Sequence, residues 1–410
     1  MKKFLLKKLK LLLKRLAQLT LNKYRPGIIG ITGSVGKTST KETIFCVLRN
    51  FRKVRASFDN LNNELGLPLS ILGEWQKPSG TFFWLKVILR GFKNLIFRTN
   101  YPEILILEYA ADSPGDLDYL LKIARPQIGV VTAIGEIPAH AEFYSGPEEI
   151  AKEKSKLLKA LSSGGFAVLN FDDEAVLSMK EDLQSLVFTF GFGAGAQVRI
   201  TNFENRSDSG RPMGISFKLN YGDNAMPVRI DGALGKAQAY AAAAAACVGL
   251  GFGLNLVRIA ESLSYYKAPA HRMKFLIGVK ETYIIDDSYN ASPMSMHAAI
   301  ETIKSLSAKR KVAVLGDMLE LGQYTIEAHE KIGELAARVF HLLITIGPKA
   351  KFIADAALQK GMSSEKIISF QTVDEAIIEI LGLLKMGDLV LVKGSRAVGL
   401  DRLIDEIVYK

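Results

Sequence analysis

Three features of the sequence predict an α/β protein. From about residue 27 to the end, short apolar runs of strand character alternate with longer segments of helical periodicity. The first run, Ile28 to Ile31, enters a glycine-rich turn and continues into a helix-like stretch from Lys37 to about Asn50. A second strand–helix series begins after Pro269, in a predicted hinge from Lys267 to His271. These features predict a central P-loop domain on a parallel sheet, residues 27–268, then a C-terminal Rossmann-like α/β domain, residues 269–410. Residues 1–26 stand ahead as a basic amphipathic helix.

The bulk numbers exclude several classes. Apolar residues make up 48% and charged residues 23% of the 410-residue chain, as in ordinary globular proteins. The net charge of +11 is concentrated. Residues 1–25 hold nine Lys/Arg and residues 75–102 hold five, neither with an acid, which leaves −3 for the rest. Two local patches on a near-neutral body argue against a nucleic-acid binder. The two cysteines, Cys46 and Cys247, lie far apart in apolar segments, which suggests a reducing compartment and no disulfide framework. No Cys/His spacing suits structural zinc.

In residues 1–26, Lys3, Lys7, Lys10 and Lys14 recur at helical spacing, and Leu5, Leu9, Leu12 and Leu16 form the opposite stripe. The longest unbroken apolar run, Leu11 to Leu13, is too short to span a bilayer. Such a helix suits an anionic membrane surface or packing on its own domain. Thr81 to Arg98 has the same character and reads as a second interfacial helix, a substrate-facing cap, or a core helix ending near Gly91.

The glycine-rich turn reads T-G-S-x-G-K-T-S, Thr32 to Ser39, with backbone N–H groups and a helix N-terminus aimed at an anion. Lys37 adds charge for the outer phosphates and Thr38 a hydroxyl for Mg²⁺. Asp59 to Pro68 is a polar loop whose Asn62 and Asn63 suit hydrogen bonding to a ligand. Glu103 to Glu108 is a buried strand ending in a carboxylate, where ligands of open α/β sheets sit. Ile128 to Thr132 is the next strand and delivers His140 to the same edge.

Pro147 begins a helix with Ile150, Leu157 and Leu158 inward, and the residues alone make Lys152, Glu153, Lys154 and Lys156 a solvated face. Gly165 to Asn170 is another strand, Phe188 to Leu234 reads as small antiparallel strands, and Ala237 to Leu250 as a small-residue helix. The C-terminal strands are Tyr283–Asp286, Lys311–Leu315, Leu342–Ile346, Lys366–Phe370 and Leu389–Lys393. Asp286 and Asp287 sit at a strand end facing the hinge.

Taken in order, these stretches resemble the Mur ligase family. TGSVGKTSTKE, NNELGLPLS, the strand-end Glu108, His140 with Phe143, and Lys154 are similar to its central domain. HRM around Arg272, IIDDSYNASPMSM, VLGDMLELG, His329 and LVKGSR are similar to its C-terminal domain. Within the family, DDSYNASP and GDMLELG most resemble the branch that adds D-Ala-D-Ala to a muramoyl tripeptide.

The resemblance implies a cytoplasmic, ATP-dependent, ADP-forming amide ligase of peptidoglycan precursor synthesis that works through an acyl phosphate. By the same resemblance Gly33, Ser34, Val35, Gly36, Lys37, Thr38 and Ser39 bind ATP, joined by Arg272, Asp287 and Asn290. Thr38 and Glu108 hold one Mg²⁺, and a carbamylated Lys154 with His140 beside it serves a second. Lys37, His140, Lys154 and Arg272 carry the chemistry, and Asn62, Asn63, Asn290, Lys393 and Arg396 contact substrate, the last two by charge and position. Two domains with half a site each predict closure on ATP.

Three departures from the family pattern stand out. The family's N-terminal UDP-binding domain has no counterpart in residues 1–26. Ala237, Gln238 and Ala241 replace a usual His-Asn…Asn, and Ala133 replaces an Asn. The expectation is a monomer with residues 1–22 and 81–98 meeting an anionic membrane at its inner face. A related peptide ligase with a lipid-linked acceptor and a non-catalytic nucleotide-binding membrane partner are the alternatives.

Overall fold

The computed structural model describes residues 2–59, 61–75, 80–162 and 164–409. Asn60 of the polar loop, Met1, and the side chains of Lys3 and Thr81 lie outside that description. Among the described residues nine strands form the first sheet: β1 (Gly27–Thr32), β2 (Val54–Ala56), β3 (Ile104–Glu108), β4 (Ile128–Val131), β5 (Phe166–Asn170), β6 (Leu186–Gly191), β7 (Val198–Asp208), β8 (Arg211–Tyr221) and β9 (Asn224–Asp231). Their spatial order is β2-β3-β1-β4-β5-β6-β7-β8-β9.

Pairing is parallel from β2 through to β7 and antiparallel from β7 to β9. β3 and β4 are buried along their whole length, as continuous apolar strands covered on both faces must be. The stretch read as small antiparallel strands differs: β6 is parallel, and β7 and β8 are eleven residues each and extend the same sheet. Alternating polar residues hid their length because one face of this extension meets solvent.

Helix α1 (Lys2–Tyr24) precedes β1, and α2 (Lys37–Leu48) follows the glycine-rich turn. Between β2 and β3 come α3 (Gly66–Leu72) and α4 (Gly80–Ile96); α5 (Asp116–Leu121) and α6 (Pro147–Lys159) flank β4. One sheet face packs on α2 and the alanine-rich helix Lys236–Gly251, whose small side chains permit close approach. The other face packs on α1, α3, α5 and α6 through Ala17, Leu67, Leu117 and Leu157.

Two helices depart from expectation. On α1 the buried residues are Leu13, Leu16, Ala17 and Thr20, while Leu5 and Leu12 face outward. The seat is the seam between α3 and α4, which turns the helix off the stripe that sequence spacing favoured. Helix α4 runs through Gly91, where an added Cβ would stand 3.1 Å from Leu16 Cδ1. That glycine allows a close helix contact and does not end the helix. Among the described residues no helix is long and apolar enough to cross a membrane.

The second sheet holds β10 (Lys274–Ile277), β11 (Tyr283–Asp287), β12 (Lys311–Gly316), β13 (Leu342–Ile346), β14 (Ile367–Phe370) and β15 (Leu389–Lys393), in the order β10-β11-β15-β12-β13-β14. Five strands are parallel, and β10 is an antiparallel edge that its four residues did not reveal in the sequence. Separate apolar cores cover the two faces of this sheet.

Candidate active site

The turn between β1 and α2 builds the centre of the site. Gly33 has φ +141°, and a Cβ there would fall 2.0 Å from Thr132 Oγ1. Gly36 caps α2 with φ +90°, a conformation that L side chains rarely adopt. The carbonyl of Ala133 accepts the N–H groups of Ser34 at 2.6 Å and Val35 at 3.3 Å. These two donors, expected to face an anion, are thus engaged by the end of β4. The first N–H groups of α2, from Lys37 to Ser39, have no intrahelical partner and remain the anion-facing set. Lys37 Nζ donates to Gly33 O at 2.7 Å, folded onto the loop it serves.

Register places Glu108 beside Ile31, so the end of β3 lies next to the turn. Glu108 is 1% exposed, and its Oε1 accepts no hydrogen bond; Lys41 Nζ faces it at 3.2 Å. Lys41 is fully buried and also donates to Asp59 O at 2.8 Å. A buried strand-end carboxylate that is ion-paired with one lysine and accepts no hydrogen bond at Oε1 fits a hard cation. Ser34 Oγ is likewise buried and without a partner. Among the described residues no cluster of three or more His, Cys, Asp or Glu is arranged to hold a metal. A cation here would rest on Glu108 and the Thr38 hydroxyl.

Glu153 and Lys154 on α6 are buried, not a solvated face. Glu153 Oε1 accepts the N–H groups of Gly115 and Leu117 and so fixes the start of α5. Burial first, and the charge of Lys37 second, pull the Lys154 ammonium down to about 7. Lys37 is lowered too, by burial and by Arg272, against the pull of Glu108 and Asp112. His140 lies between Asp112 (Nε2 to Oδ1, 3.3 Å) and Glu320 of the loop after β12 (Nδ1 to Oε2, 2.5 Å). Its burial outweighs those carboxylates and keeps its pKa below the usual value.

Arg272 crosses from the hinge to donate to Thr38 Oγ1 at 3.4 Å. Its guanidinium lies 3.9 Å from the Tyr289 ring centroid, with Arg396 over the same ring at 5.3 Å. Buried Gln238 donates to the Arg272 carbonyl at 3.1 Å and accepts from Tyr266 Oη at 2.9 Å. The family departure at this position therefore has a structural task in this chain.

Four residues expected at a ligand are engaged within the protein. Lys393 is buried and bonds Asp287 Oδ2 at 2.6 Å and Asn290 O at 2.9 Å, so its ammonium does not point at a substrate carboxylate. Asp287 in turn accepts from Met273 N at 3.1 Å, which ties it to the backbone just beyond the hinge. Asn63 Oδ1 caps α3 through the N–H groups of Leu65 and Gly66. Asn62 contributes its backbone carbonyl to Ala110 N.

Asp112, Glu320, Tyr289 and Lys41 were not singled out from the sequence. Glu320 lies within the GDMLELG stretch, but its reach to a histidine 180 residues away has no sequence signal.

Residues 91–249 match the Mur ligase middle domain, and residues 271–396 match the Mur ligase, glutamate ligase domain. The UDP-N-acetylmuramoyl-tripeptide–D-alanyl-D-alanine ligase of Bacillus subtilis is 30% identical over 402 residues, covering 97% of this chain and 79% of that protein. The enzyme of that name from Mycobacterium tuberculosis is 32% identical over 409 residues, covering 93% and 72%. Among solved structures, MurF from Acinetobacter baumannii superposes with a TM-score of 0.79 at 26% identity, covering 97% and 80%. MurF ligase from Thermotoga maritima in complex with ADP gives 0.77 at 28%, covering 96% and 82%. Two family domains in the expected order, and relatives alike over nearly the whole chain, agree with the site geometry: this chain belongs to the Mur ligase family.

Proposed function

We propose that this chain is an ATP-dependent, ADP-forming ligase that joins D-Ala-D-Ala to a muramoyl tripeptide in peptidoglycan precursor synthesis. The observation that carries the reading is convergence: the β1–α2 turn, with Glu108, His140 and Lys154 around it, is met by Arg272 at Thr38 and by Glu320 at His140, both from the C-terminal half. Relatives that carry this activity in their names support the choice of substrate pair.

In this reading the α2 N-terminus and Lys37 take the charge of the transferring phosphoryl group, and Arg272 completes the clamp from the hinge side. The tripeptide carboxylate accepts the γ-phosphoryl group. The free amine of D-Ala-D-Ala then attacks that acyl phosphate, and phosphate leaves. Closure of the second sheet over the first excludes water from the acyl phosphate. Thr38 and Glu108 would hold one Mg²⁺ and His140 and carbamylated Lys154 a second, and these ions would neutralise phosphate charge. A lysine held near pH 7 is partly the neutral amine that carbamylation needs.

The reading divides the chain at residues 26 and 268 and makes the enzyme a monomer at the inner face of an anionic membrane, met by residues 1–22 and 81–98. The test is phosphate release with ATP, Mg²⁺, D-Ala-D-Ala and UDP-N-acetylmuramoyl-tripeptide, each omitted singly. Release that needs all four, with the pentapeptide seen by mass, is expected. Release with ATP and Mg²⁺ that ignores the dipeptide overturns the assignment.

A further inference from the structure

Helices α1 and α4 lie side by side and run in the same direction. Leu16 meets Gly91, and Lys23 Nζ donates to the carbonyls of Asn94, Leu95 and Phe97 at the end of α4. Their inner sides bury Leu13, Leu16, Val87 and Asn94. Their outer sides are not the polar surface of a solvated helix pair. On α4, Phe82, Leu85, Leu89, Phe92 and Ile96 recur at three- and four-residue steps and are all exposed, Phe82 at 70% and Ile96 at 71%. On α1, Leu5, Leu12 and Leu19 recur every seven residues, with Phe4 and Leu11 beside them, again exposed. Both stripes are exposed to solvent, on helix sides other than those that bury Leu13, Leu16, Val87 and Asn94. Aligned apolar exposure of this kind marks an interaction surface.

Charge decides what covers it. Lys8 and Arg15 interleave the α1 stripe, and Lys86, Arg90 and Lys93 flank the α4 stripe. No Asp or Glu occurs in residues 1–25 or 75–102. On the flank of α1 away from α4, Arg15, Arg25, Lys122 and Arg125 frame a cavity of about 650 Å³ whose lining has no carboxylate. Arg125 is steadied by the carbonyls of Ala160 and Leu161, and Arg25 holds a left-handed backbone with φ +48°. A second copy of the chain would set one basic surface against another. A bilayer rich in anionic lipid supplies an apolar boundary for the stripes and phosphates for the rim.

We propose that the α1–α4 face seats the protein on an anionic phospholipid bilayer, with the stripes in the headgroup boundary and a lipid phosphate in the Arg15–Arg25–Lys122–Arg125 cavity. This rests on the membrane placement stated above and is independent of the ligase chemistry.

The experiment is co-sedimentation of the full chain with vesicles of phosphatidylcholine, with and without phosphatidylglycerol, at low and high salt. The expected result is binding to the anionic vesicles that falls in high salt and is about tenfold or more weaker on neutral vesicles. Leu89→Ser/Ile96→Ser removes most of the binding, and Arg15→Gln/Arg25→Gln reduces the anionic preference. Circular dichroism and Tm stay as in the parent for both variants, because the replaced side chains are exposed. Equal pelleting of parent and stripe variant, or no preference for anionic vesicles, overturns the proposal. A dimer by light scattering that the stripe variant dissolves, without vesicle binding, overturns it in favour of a second copy. Because no step reads ATP turnover, failure here leaves the ligase assignment standing, and failure of the ligase assay leaves this surface standing.

Discussion

His140 and Glu320 are bonded over 2.5 Å across the two halves of the molecule, and both hold left-handed backbones, with φ of 68° and 62°. Two non-glycine residues in that region, in contact with each other, concentrate backbone strain at the joint. The bond also orients His140 toward Asp112. Replacing Glu320 with Ala is therefore expected to lower kcat by about tenfold and to raise KM for ATP, with Gln restoring part of the loss. Steady-state ADP formation reads this out, and unchanged kinetics in the Ala variant would remove Glu320 from the site.

Arg272 touches Thr38 and stacks on Tyr289, so its planar fork matters as well as its charge. Arg272→Ala is expected to reduce kcat/KM by about 100- to 1,000-fold. Arg272→Lys should recover little, because an ammonium neither stacks nor forks. Full recovery by Lys would mean that only the charge is used.

Lys154 is the proposed carbamate. Its pKa of about 7 means that the neutral amine grows as pH rises through that value and shrinks below it. With ¹³C-bicarbonate, a carbamate resonance is expected above that pH and should fade as the solution is acidified through it. Lys154→Arg keeps the charge but cannot be carbamylated, and is expected to lose both the resonance and ADP formation. Activity at the parental level in the Arg variant would refute the assignment.

Lys41 and Glu108 form a buried pair at 3.2 Å. Lys41→Met leaves a carboxylate without its cation, a change that costs about 3–5 kcal/mol in comparable pairs. The expected outcome is a lowered Tm that Mg²⁺ partly restores, since a cation near Glu108 replaces the lost charge. A Tm that Mg²⁺ does not move would place the ion elsewhere.

His271 bonds Asp286 at 2.8 Å, and that bond raises its pKa above 6.5, with Asp401 adding to the rise and Arg396 opposing it. A raised folded-state pKa gives stability that is fully present below 6.5 and is lost as pH climbs through the folded value. Urea unfolding should show His271→Gln less stable than the parent on the acid side and nearly equal to it at alkaline pH. A constant difference at all pH values would assign the loss to packing.

Much of this architecture was legible in the residues. The β1–α2 turn, the strand ending at Glu108 and the C-terminal series beginning near Tyr283 follow from local rules: apolar runs, glycines where φ is positive, and a lysine and threonine at a helix start. Local rules also gave a helix within residues 1–26, and helical character at Thr81 to Arg98 without deciding whether it ran past Gly91; the helices span Lys2–Tyr24 and Gly80–Ile96. These rules failed wherever a side chain's partner lies far along the chain. Lys154 on an apparently solvated face is buried, Lys393 is spent on Asp287, Gln238 holds the Arg272 carbonyl, and Glu320 meets His140. The outward face of α4 likewise depends on which side α1 and α3 occupy, because periodicity gives a helix two faces but not the one that is covered. Sequence determined most of the elements, β10 and the lengths of β7 and β8 excepted, since backbone preference and hydrophobic period act over a few residues. Tertiary structure alone decided which charges are desolvated and paired, because burial and pairing arise only when distant segments meet.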